Sequence, residues 1–452
     1  MNAKSRGLRL RAALTVIATA TALGAAAAPA LPAEGHDPLV YAWGANKGGQ
    51  LGNSTTIDRY APAAIPSLPK QDVFKIAPGG GVTGGTGFAV ALRNDGSVWT
   101  WGQSDKGQLG TGPASETVKY QSGLGKVPGL NGIVDVAAGG QHALALRVNT
   151  GKADGVYAWG LNDKGQVGEG TNANRSVPKL VQSMHGGKQV AAGCNHSMLL
   201  TENNTVKVWG ANEKGQLGLG DKDTANHNTP VDVPDLTNVV KIAAGCDYSL
   251  AVKSDGTVWA WGDNTHGQLG VNKDKSALAS SNKPVQVQGL PASQAGQGNP
   301  TDQSGGTGSG TGTGTAQGTG PGLLDIAAGW DHAYALYSDN KVYGWGSNGK
   351  GQLADGTTDD RTSAHEATQL PPVKSIAAGY NGGVAVRTAG SGTSNDIIGW
   401  GVNTYGQLGS GDTSEHNLTN NDKYVTIFAQ EAETTNPFTR VAMGSDETVY
   451  AY

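Results

Sequence analysis

Short stretches in which apolar and polar residues alternate recur along the chain from about residue 39 onward. The alternation in HALAL (142–146) and SLAV (249–252) is typical of a half-buried strand. Tight-turn sequences such as NDGS (94–97) and SDGT (254–257) come next, and a second strand then ends in Trp-Gly. The pattern therefore predicts a series of short hairpins and favours β structure over helices.

A motif close to WGxNxxGQLG ends each predicted hairpin and occurs seven times, with Trp and Gln in every copy. The copies are YAWGANKGGQLG from Tyr41, WTWGQSDKGQLG from Trp99, YAWGLNDKGQVG from Tyr157, KVWGANEKGQLG from Lys207, WAWGDNTHGQLG from Trp259, YGWGSNGKGQLA from Tyr343 and IGWGVNTYGQLG from Ile398. A ligand site would not need the same Trp and Gln seven times. We interpret the motif as packing, in which Trp fills space between repeats, Gly permits the turn and Gln satisfies turn backbone groups.

A second motif precedes most of these copies by about twenty residues. It reads VAAGGQHALAL from Val136, VAAGCNHSMLL from Val190, IAAGCDYSLAV from Ile242, IAAGWDHAYAL from Ile326 and IAAGYNGGVAV from Ile376, with a looser copy from Ile76. After GQLG comes a polar loop and then a short run with Pro, such as TPVDVP (229–234), which suits an edge strand. Each repeat therefore supplies about four short strands.

The two ends of the repeat region each lack what the other has. The first Trp-Gly copy has no AAG motif before it, and VAMGSDETVYA from Val441 has no Trp-Gly copy after it. A linear array would need polar caps, whereas a closed ring pairs the two halves and leaves few open sheet edges. We predict an all-β, seven-bladed β-propeller of four-stranded blades, closed by pairing the N-terminal strands with the C-terminal half-blade.

The paired AAGxxHSLAL and WGxNxxGQLG motifs resemble those of the regulator of chromosome condensation repeat family, from about Leu39 to Tyr452. The resemblance implies a seven-bladed propeller in which the termini share one blade. Intracellular members of this family act as guanine nucleotide exchange factors for a small nuclear GTPase and associate with chromatin, so the resemblance implies nucleotide exchange as an alternative function. A WD-repeat propeller is disfavoured, because most Trp-Gly copies are 50 to 58 residues apart and no Trp-Asp recurs.

The chain divides into a cleaved signal peptide at 1–30 and a single propeller at 31–452. Its 71 Gly and 19 Pro among 452 residues suit a large core interrupted by many turns. Four basic residues, an Ala-rich apolar stretch and APA (28–30) are typical of a secretory signal. One Trp-Gly spacing, from Trp261 to Trp345, is 84 residues. We assign the surplus to a flexible Gly/Thr/Ser-rich insertion at 291–322.

The charge and hydropathy of the chain limit the classes of partner that we expect it to bind. Removal of the basic start takes the formal charge from −4 to −8, which gives no electrostatic reason to bind nucleic acid or anionic lipid. No later segment has 18 consecutive apolar residues, so we predict no stable membrane insertion. We expect a secreted monomer that binds a protein partner.

Motifs for catalysis and cofactors are weak. GGGVTG (79–84) fits GxGxxG but precedes a strand instead of opening a helix, so it predicts no dinucleotide site. His142, His196 and His332 share one repeat position, and we interpret them as bonded to local backbone instead of to a metal. We predict no cofactor, no metal and no catalytic residue.

Cys194 and Cys246 are the two cysteines of the chain and occupy the same position in consecutive repeats. An exported protein permits a disulfide bond, and adjacent inner strands can bring two Cα atoms within about 4.4 to 6.8 Å. The alternative is a pair of small buried thiols.

The two residues after AAG vary most between repeats and are expected at one mouth of the central channel. Aromatic residues there, together with a ring of polar ones, suit a partner surface; the alternative is that the polar side chains only cap turns. The candidate partner-binding residues are Gln141, Asn195, Asp247, Trp330, Asp331, Tyr380, Asn381 and Asp446.

These observations favour a secreted, non-enzymatic binding scaffold that presents loops on one propeller face. Three alternatives remain. Secreted propellers with a similar repeat inhibit β-lactamases, nucleotide exchange is disfavoured by export, and an enzyme acting on an extracellular polymer would need two converging carboxylates. Asp247, Asp331 and Asp446 are the candidates for such a pair.

Overall fold

The computed structural model describes residues 39–81, 85–112, 119–148, 154–181, 184, 186–273, 277–292, 321–388, 396–416, 424–428 and 438–452. The predicted signal peptide lies outside these ranges, as do residues 293–320 of the predicted insertion. Twenty-eight strands and one 3-10 helix, Lys70–Asp72, make up the secondary structure of this part.

Six blades each use four consecutive strands and are numbered along the chain. The first blade comprises β3 (Val73–Gly80), β4 (Gly87–Arg93), β5 (Val98–Gln103) and β6 (Tyr120–Lys126); the second β7 (Ile133–Ala138), β8 (His142–Arg147), β9 (Gly155–Gly160) and β10 (Arg175–Leu180); the third β11 (Gln189–Ala192), β12 (His196–Leu200), β13 (Val206–Gly210) and β14 (His227–Asp232). The fourth comprises β15 (Val239–Ala244), β16 (Tyr248–Lys253), β17 (Val258–Asp263) and β18 (Ser280–Gln286); the fifth β19 (Leu323–Ala328), β20 (His332–Tyr337), β21 (Val342–Gly346) and β22 (Arg361–Glu366); the sixth β23 (Val373–Ala378), β24 (Gly382–Arg387), β25 (Ile397–Gly401) and β26 (Val425–Phe428).

The seventh, closing blade combines the two ends of the repeat region. It contains β1 (Leu39–Gly44), β2 (Arg59–Pro69), β27 (Val441–Met443) and β28 (Thr448–Ala451), in the order β2-β1-β28-β27. β1 and β28 pair antiparallel, with Tyr41 opposite Ala451 and Gly44 opposite Thr448. The predicted all-β, seven-bladed propeller and its mode of closure are therefore confirmed.

The core lies between neighbouring blades. The second strand of each blade is covered on both faces, so β8 is buried along its whole length, whereas the outermost strand β10 is half-exposed. Between the first two blades, Phe88 and Val90 pack in one cluster with Ala143 and Trp159. Removal of this apolar surface from water, at roughly 25 cal/mol per Å², is the main force that holds each blade to the next.

One hydrogen bond recurs at all seven joints between blades. Each motif Trp is fully buried, and its indole Nε1 donates to the backbone carbonyl of the motif Gln in the preceding blade. The pairs are Trp101–Gln50 at 2.6 Å, Trp159–Gln108 and Trp400–Gln352 at 2.8 Å, Trp43–Gln407, Trp209–Gln166 and Trp261–Gln216 at 2.9 Å, and Trp345–Gln268 at 3.0 Å. The Gln side chains accept from the backbone N–H two residues earlier, for example Lys214 N to Gln216 Oε1 at 2.8 Å. The motif is thus the joint between blades.

Candidate functional site

The turns after AAG and the GQLG loops lie at the same end of the ring, because the start of each second strand pairs with the Trp-Gly end of the third. Backbone hydrogen bonds link the AAG turns of successive blades around the channel mouth. They run from Gly80 N to Gly139 O, Gly140 N to Cys194 O, Cys194 N to Cys246 O, Cys246 N to Trp330 O and Trp330 N to Gly379 O, at 3.0 to 3.2 Å. The variable residues are therefore held on a connected rim.

Cys194 and Cys246 are part of this rim and form a disulfide bond, with their Cα atoms 4.5 Å apart. The bond joins the AAG turns of the third and fourth blades. Both cysteines line the channel mouth, whose wall otherwise consists mainly of Gly and Ala residues. This part of the channel offers little chemistry beyond backbone groups.

Three of the predicted polar residues contact the motif Gln of the preceding blade. The Gln side-chain amide donates to Asn195 from Gln166 at 3.5 Å, to Asp247 from Gln216 at 3.2 Å and to Asn381 from Gln352 at 3.0 Å. These side chains are half-buried. Their contacts show a role in the joints between blades, so their role in partner binding stays a prediction.

Trp330 and Tyr380 come together as an aromatic pair on the rim. Their rings meet edge to face, with centroids 5.4 Å apart and planes at 82°. Both residues are half-buried, on the turns of the fifth and sixth blades. Such edge-to-face contacts fix ring positions and contribute roughly 0.5–1.5 kcal/mol beyond area burial. The pair is a preformed apolar feature on an otherwise polar rim.

Carboxylates gather next to this pair, on the loops of the fourth and fifth blades. Burial raises the pKa of Asp331 to about 6, with the neighbouring charge of Asp263 adding to the rise. Burial also raises the pKa of Asp247, again with a contribution from Asp263. The Lys214 ammonium lies 3.5 Å from an Asp263 oxygen, and His266 lies 3.3 Å from Asp360. Basic side chains of the GQLG loops thus offset part of this negative charge.

The closing blade departs from the predicted alignment by one residue. The sequence places Glu447 at the position of His142, but the strand register puts Thr448 there, because Thr448 pairs with Gly44 as His142 pairs with Gly160. The turn between β27 and β28 therefore contains one extra residue, and Glu447 adopts a φ of 64°. Asp446 is only 1% exposed. Its role in partner binding stays a prediction.

The three aligned histidines do not bond local backbone as predicted. His142 Nε2 contacts Ser197 Oγ at 2.8 Å and His196 Nε2 contacts Ser249 Oγ at 2.9 Å, each in the next blade. Burial lowers the pKa of each of these imidazoles, to about 3 and about 4 respectively. Neutral histidines are thus part of the joints between blades, with the serines donating onward to the motif Gln carbonyl.

A pocket that the sequence did not reveal lies at the closing joint. It has a volume of about 210 Å³ and is lined by Gly81, Gly85, Tyr380, Thr404, Tyr405, Ser445, Asp446 and Glu447. Sequence comparison of the repeats could have indicated it only through Tyr405, which stands where five other GQLG loops carry Lys or His. Gln141 lies half-buried in the turn of the second blade and does not line this pocket.

Among the described residues, no group of three or more His, Cys, Asp or Glu side chains is arranged to hold a metal ion. The described ranges also contain no helix long and apolar enough to span a bilayer.

A ring closed by one repeated Trp–Gln joint, with variable turns collected at one end, defines a repeat propeller of the kind that serves mainly binding and regulation. The chain belongs to the RCC1-like domain family, which it matches over residues 8–307; RCC1 repeats, described as regulator of chromosome condensation repeats, also match at 324–352 and 339–386.

Relatives and solved structures agree with this assignment. The chain is 30% identical to human E3 ubiquitin-protein ligase HERC2 over 76% of its own length, but it spans only 6% of that protein. It is 28% identical to the ultraviolet-B receptor UVR8 of Arabidopsis thaliana, covering 84% of this chain and 76% of the receptor. Yeast RCC1 (Prp20), solved bound to Kap60, superposes with a TM-score of 0.70 at 21% identity, over 91% of this chain and 88% of that one.

Proposed function

We propose that this chain is a secreted, non-enzymatic scaffold that binds a protein partner through the rim of AAG turns. The observation that carries the proposal is the preformed pair of Trp330 and Tyr380. Half-buried aromatic residues held by packing lose little conformational freedom on binding, and such residues dominate the energetics of protein interfaces. The nearby carboxylates Asp247 and Asp331 favour a partner with a complementary basic surface.

The fold class supports a binding role in general terms, since yeast RCC1 (Prp20), which has a similar fold, was solved bound to Kap60. Export is proposed from the sequence of residues 1–30. Sequencing the N-terminus of the protein recovered from culture medium tests it, with a start after Ala30 expected. Recovery of the protein only from cells, with Met1 retained, would contradict export.

The binding face is tested by pull-down from extracellular and cell-surface fractions, comparing wild type with Trp330→Ala plus Tyr380→Ala. We expect the double variant to lose its partner. Trp259→Ala plus Tyr343→Ala is the matched control, because both residues are half-buried aromatics on strands of the fourth and fifth blades, away from the AAG turns. Identical captured partners with wild type and the rim variant would place the interface elsewhere.

We do not extend the proposal to β-lactamase inhibition, nucleotide exchange or polymer cleavage. Each needs a contact or a pair of catalytic groups that the geometry above does not single out. Of the three carboxylates considered for cleavage, Asp247 and Asp331 lie on the rim, whereas Asp446 lies in the pocket at the closing joint.

A further inference from the structure

The pocket at the closing joint forms where three turns depart from the regular repeat. The turn between β3 and β4 is longer, since nine positions separate Gly79 from Phe88 where three separate Gly139 from His142. The turn between β27 and β28 has one extra residue, as shown above. The third turn carries Tyr405 in place of a basic residue. These irregularities meet because ring closure places the sixth, closing and first blades side by side.

Two buried carboxylates line this pocket without a full set of partners. Asp446 is 1% exposed and Glu447 is 7% exposed. Asp446 Oδ1 accepts a hydrogen bond from Thr448 Oγ1 at 2.6 Å, but Asp446 Oδ2 and Glu447 Oε2 have no hydrogen-bond partner. Within the described residues, neither carboxylate has an ion-pair partner. Buried carboxylates left in this state favour a cation that enters the pocket.

Burial is the main influence on the ionisation of the pair. Burial raises the pKa of Asp446 to about 7. Burial, followed by the charge of Asp446, raises the pKa of Glu447 to about 7, and Glu415 adds a smaller rise. The side-chain amides of Gln50 and Gln407 oppose these effects only in part.

The joint between the third and fourth blades, which follows the regular repeat, shows which basic residue is replaced at the closing joint. There Asp247 occupies the position that Glu447 holds at the closing joint, just before the second strand. The Lys214 ammonium of the preceding blade lowers the pKa of Asp247 against burial. Tyr405 replaces that lysine at the closing joint. The closing joint therefore keeps the carboxylate without a basic residue at that loop position, and the Lys47 ammonium lies on the Tyr405 ring instead.

Aromatic rings complete the pocket wall. Tyr380 and Tyr405 both line it, and Tyr405 already accepts a cation on its ring, since Lys47 Nζ lies 5.0 Å from the ring centroid. An aromatic face together with carboxylates is the environment that proteins use for ammonium and guanidinium groups. The pocket volume of about 210 Å³ is below the roughly 300–1,000 Å³ of drug-sized ligand sites, so the pocket suits a single small cationic group.

We propose that the pocket formed by Tyr380, Tyr405, Asp446 and Glu447 binds an organic cation, an alkylammonium or guanidinium group, in the place that Lys214 fills at the regular joint. Such a group is carried by free amines and by the lysine or arginine side chains of proteins. The site does not depend on the proposed partner-binding face, although Tyr380 belongs to both.

Calorimetric titration of the full-length purified chain with Nα-acetyl-lysine N-methylamide tests the proposal. We expect saturable binding of this probe and none of its Nε-acetylated analogue, which has nearly the same shape without the charge. Butylammonium distinguishes the sources: equal affinity for the two cations indicates a free amine, and tighter binding of the capped lysine indicates a protein side chain. Equal binding of the charged and neutral lysine probes, or no binding of either at millimolar concentration, would overturn the proposal.

Two variants locate the site. Glu447→Gln should weaken binding of the capped lysine at least about tenfold, as expected when one charge-assisted contact is lost. Asp247→Asn, at the equivalent position of a regular joint, is the matched control and should bind like wild type. Tyr405→Lys should abolish binding while retaining the fold by circular dichroism, because its own ammonium then fills the pocket. Unchanged affinity in Glu447→Gln and Tyr405→Lys would show that the probe binds elsewhere.

Affinity should also rise between pH 6 and pH 8, as the two carboxyl groups ionise. The other titratable or charged groups near them are Lys47, Tyr380, Tyr405, Glu415 and Tyr450. Affinity that falls over this pH range would contradict a carboxylate-based site. Asp331→Asn changes the rim outside the lining of the pocket, so loss of the partner in that variant with unchanged binding of capped lysine separates this site from the rim.

Discussion

The joint between the third and fourth blades and the joint between the sixth and closing blades are built from the same bond but carry different loops. In both, a buried Trp donates to a Gln carbonyl at 2.9 Å. At the first joint burial raises the pKa of Asp247 and the Lys214 ammonium, 3.5 Å from Asp263, opposes part of that rise, whereas the second joint leaves Glu447 beside Tyr405. The comparison teaches that the repeated residues hold the ring and that the residues which break the repeat create the chemistry.

The largest expected effect comes from breaking the shared bond. Trp159→Ala, at a regular joint, and Trp43→Ala, at the closing joint, should each lower the free energy of unfolding by about 3–5 kcal/mol, because each removes a fully buried indole and leaves a Gln carbonyl without its donor. Urea denaturation measures both. Trp259→Ala, a half-buried Trp outside the joints, is the control and should lose much less; a far smaller loss for Trp43→Ala than for Trp159→Ala would show that closure relies on other contacts.

The second-largest effect is expected from the disulfide bond between Cys194 and Cys246. Cys194→Ala plus Cys246→Ala should lower the free energy of unfolding by about 2–4 kcal/mol, because the bond closes a loop with a sequence separation of 52 in the unfolded chain. The measurement is denaturant unfolding without reductant. Reductant should destabilise wild type and leave the double variant unchanged. If wild type and the double variant unfold at the same denaturant concentration without reductant, the cysteines do not stabilise the fold as a disulfide.

The carboxylates of the two joints should also differ in how their effect on the free energy of unfolding depends on pH. Because the folded-state pKa of Glu447, about 7, lies above its usual value, its contribution to stability is present below about pH 4.5 and is lost as the pH rises to 7. Glu447→Gln should therefore raise the free energy of unfolding by about 1–3 kcal/mol at pH 8. The gain should shrink toward pH 4.5.

Asp247→Asn is the comparison for this measurement, since Lys214 already offsets part of the burial at that joint. Its gain at pH 8 should be smaller than that of Glu447→Gln. A gain for Glu447→Gln that does not vary between pH 4.5 and pH 8 would show that the carboxyl group does not change its ionisation there.

The smallest effect concerns the histidines. Both ring nitrogens of His332 lack a hydrogen-bond partner, whereas His142 contacts Ser197. Phe88 occupies the equivalent position in the first blade, so His332→Phe should be tolerated and should stabilise by about 1 kcal/mol. His142→Phe should destabilise by a similar amount, because it leaves Ser197 without that contact. Thermal unfolding measures both.

The sign of the pH dependence sharpens the histidine test. Burial lowers the pKa of His332 to about 4, so the stability that depends on its neutral form is present above pH 6.5 and is lost as the pH falls toward 4. The advantage of His332→Phe over wild type should therefore grow between pH 7 and pH 5. A constant difference over that range would exclude titration of His332 as its cause.

The rim shows how far residue types can be interpreted without coordinates. The residues after AAG were predicted to lie on turns at one end of the ring, and the structure places them there. Trp330 and Tyr380 lie on the same face. The sequence pattern misplaced Glu447, because one added residue in a short turn leaves the letters of the repeat aligned while the strand register moves. The prediction that His142 bonds local backbone failed because its partner, Ser197, belongs to the next blade.

The sequence by itself determined the seven repeats, the strands within them and the closure of the ring, because strand periodicity and turn chemistry act between near neighbours and identical packing problems select identical residues. Tertiary structure alone decided which side chains meet across the joints. Tyr380, Tyr405 and Glu447 share a pocket because closure brings the ends of the chain together and burial then sets their charge. No local sequence pattern encodes the distance between such residues or how deeply each of them is buried.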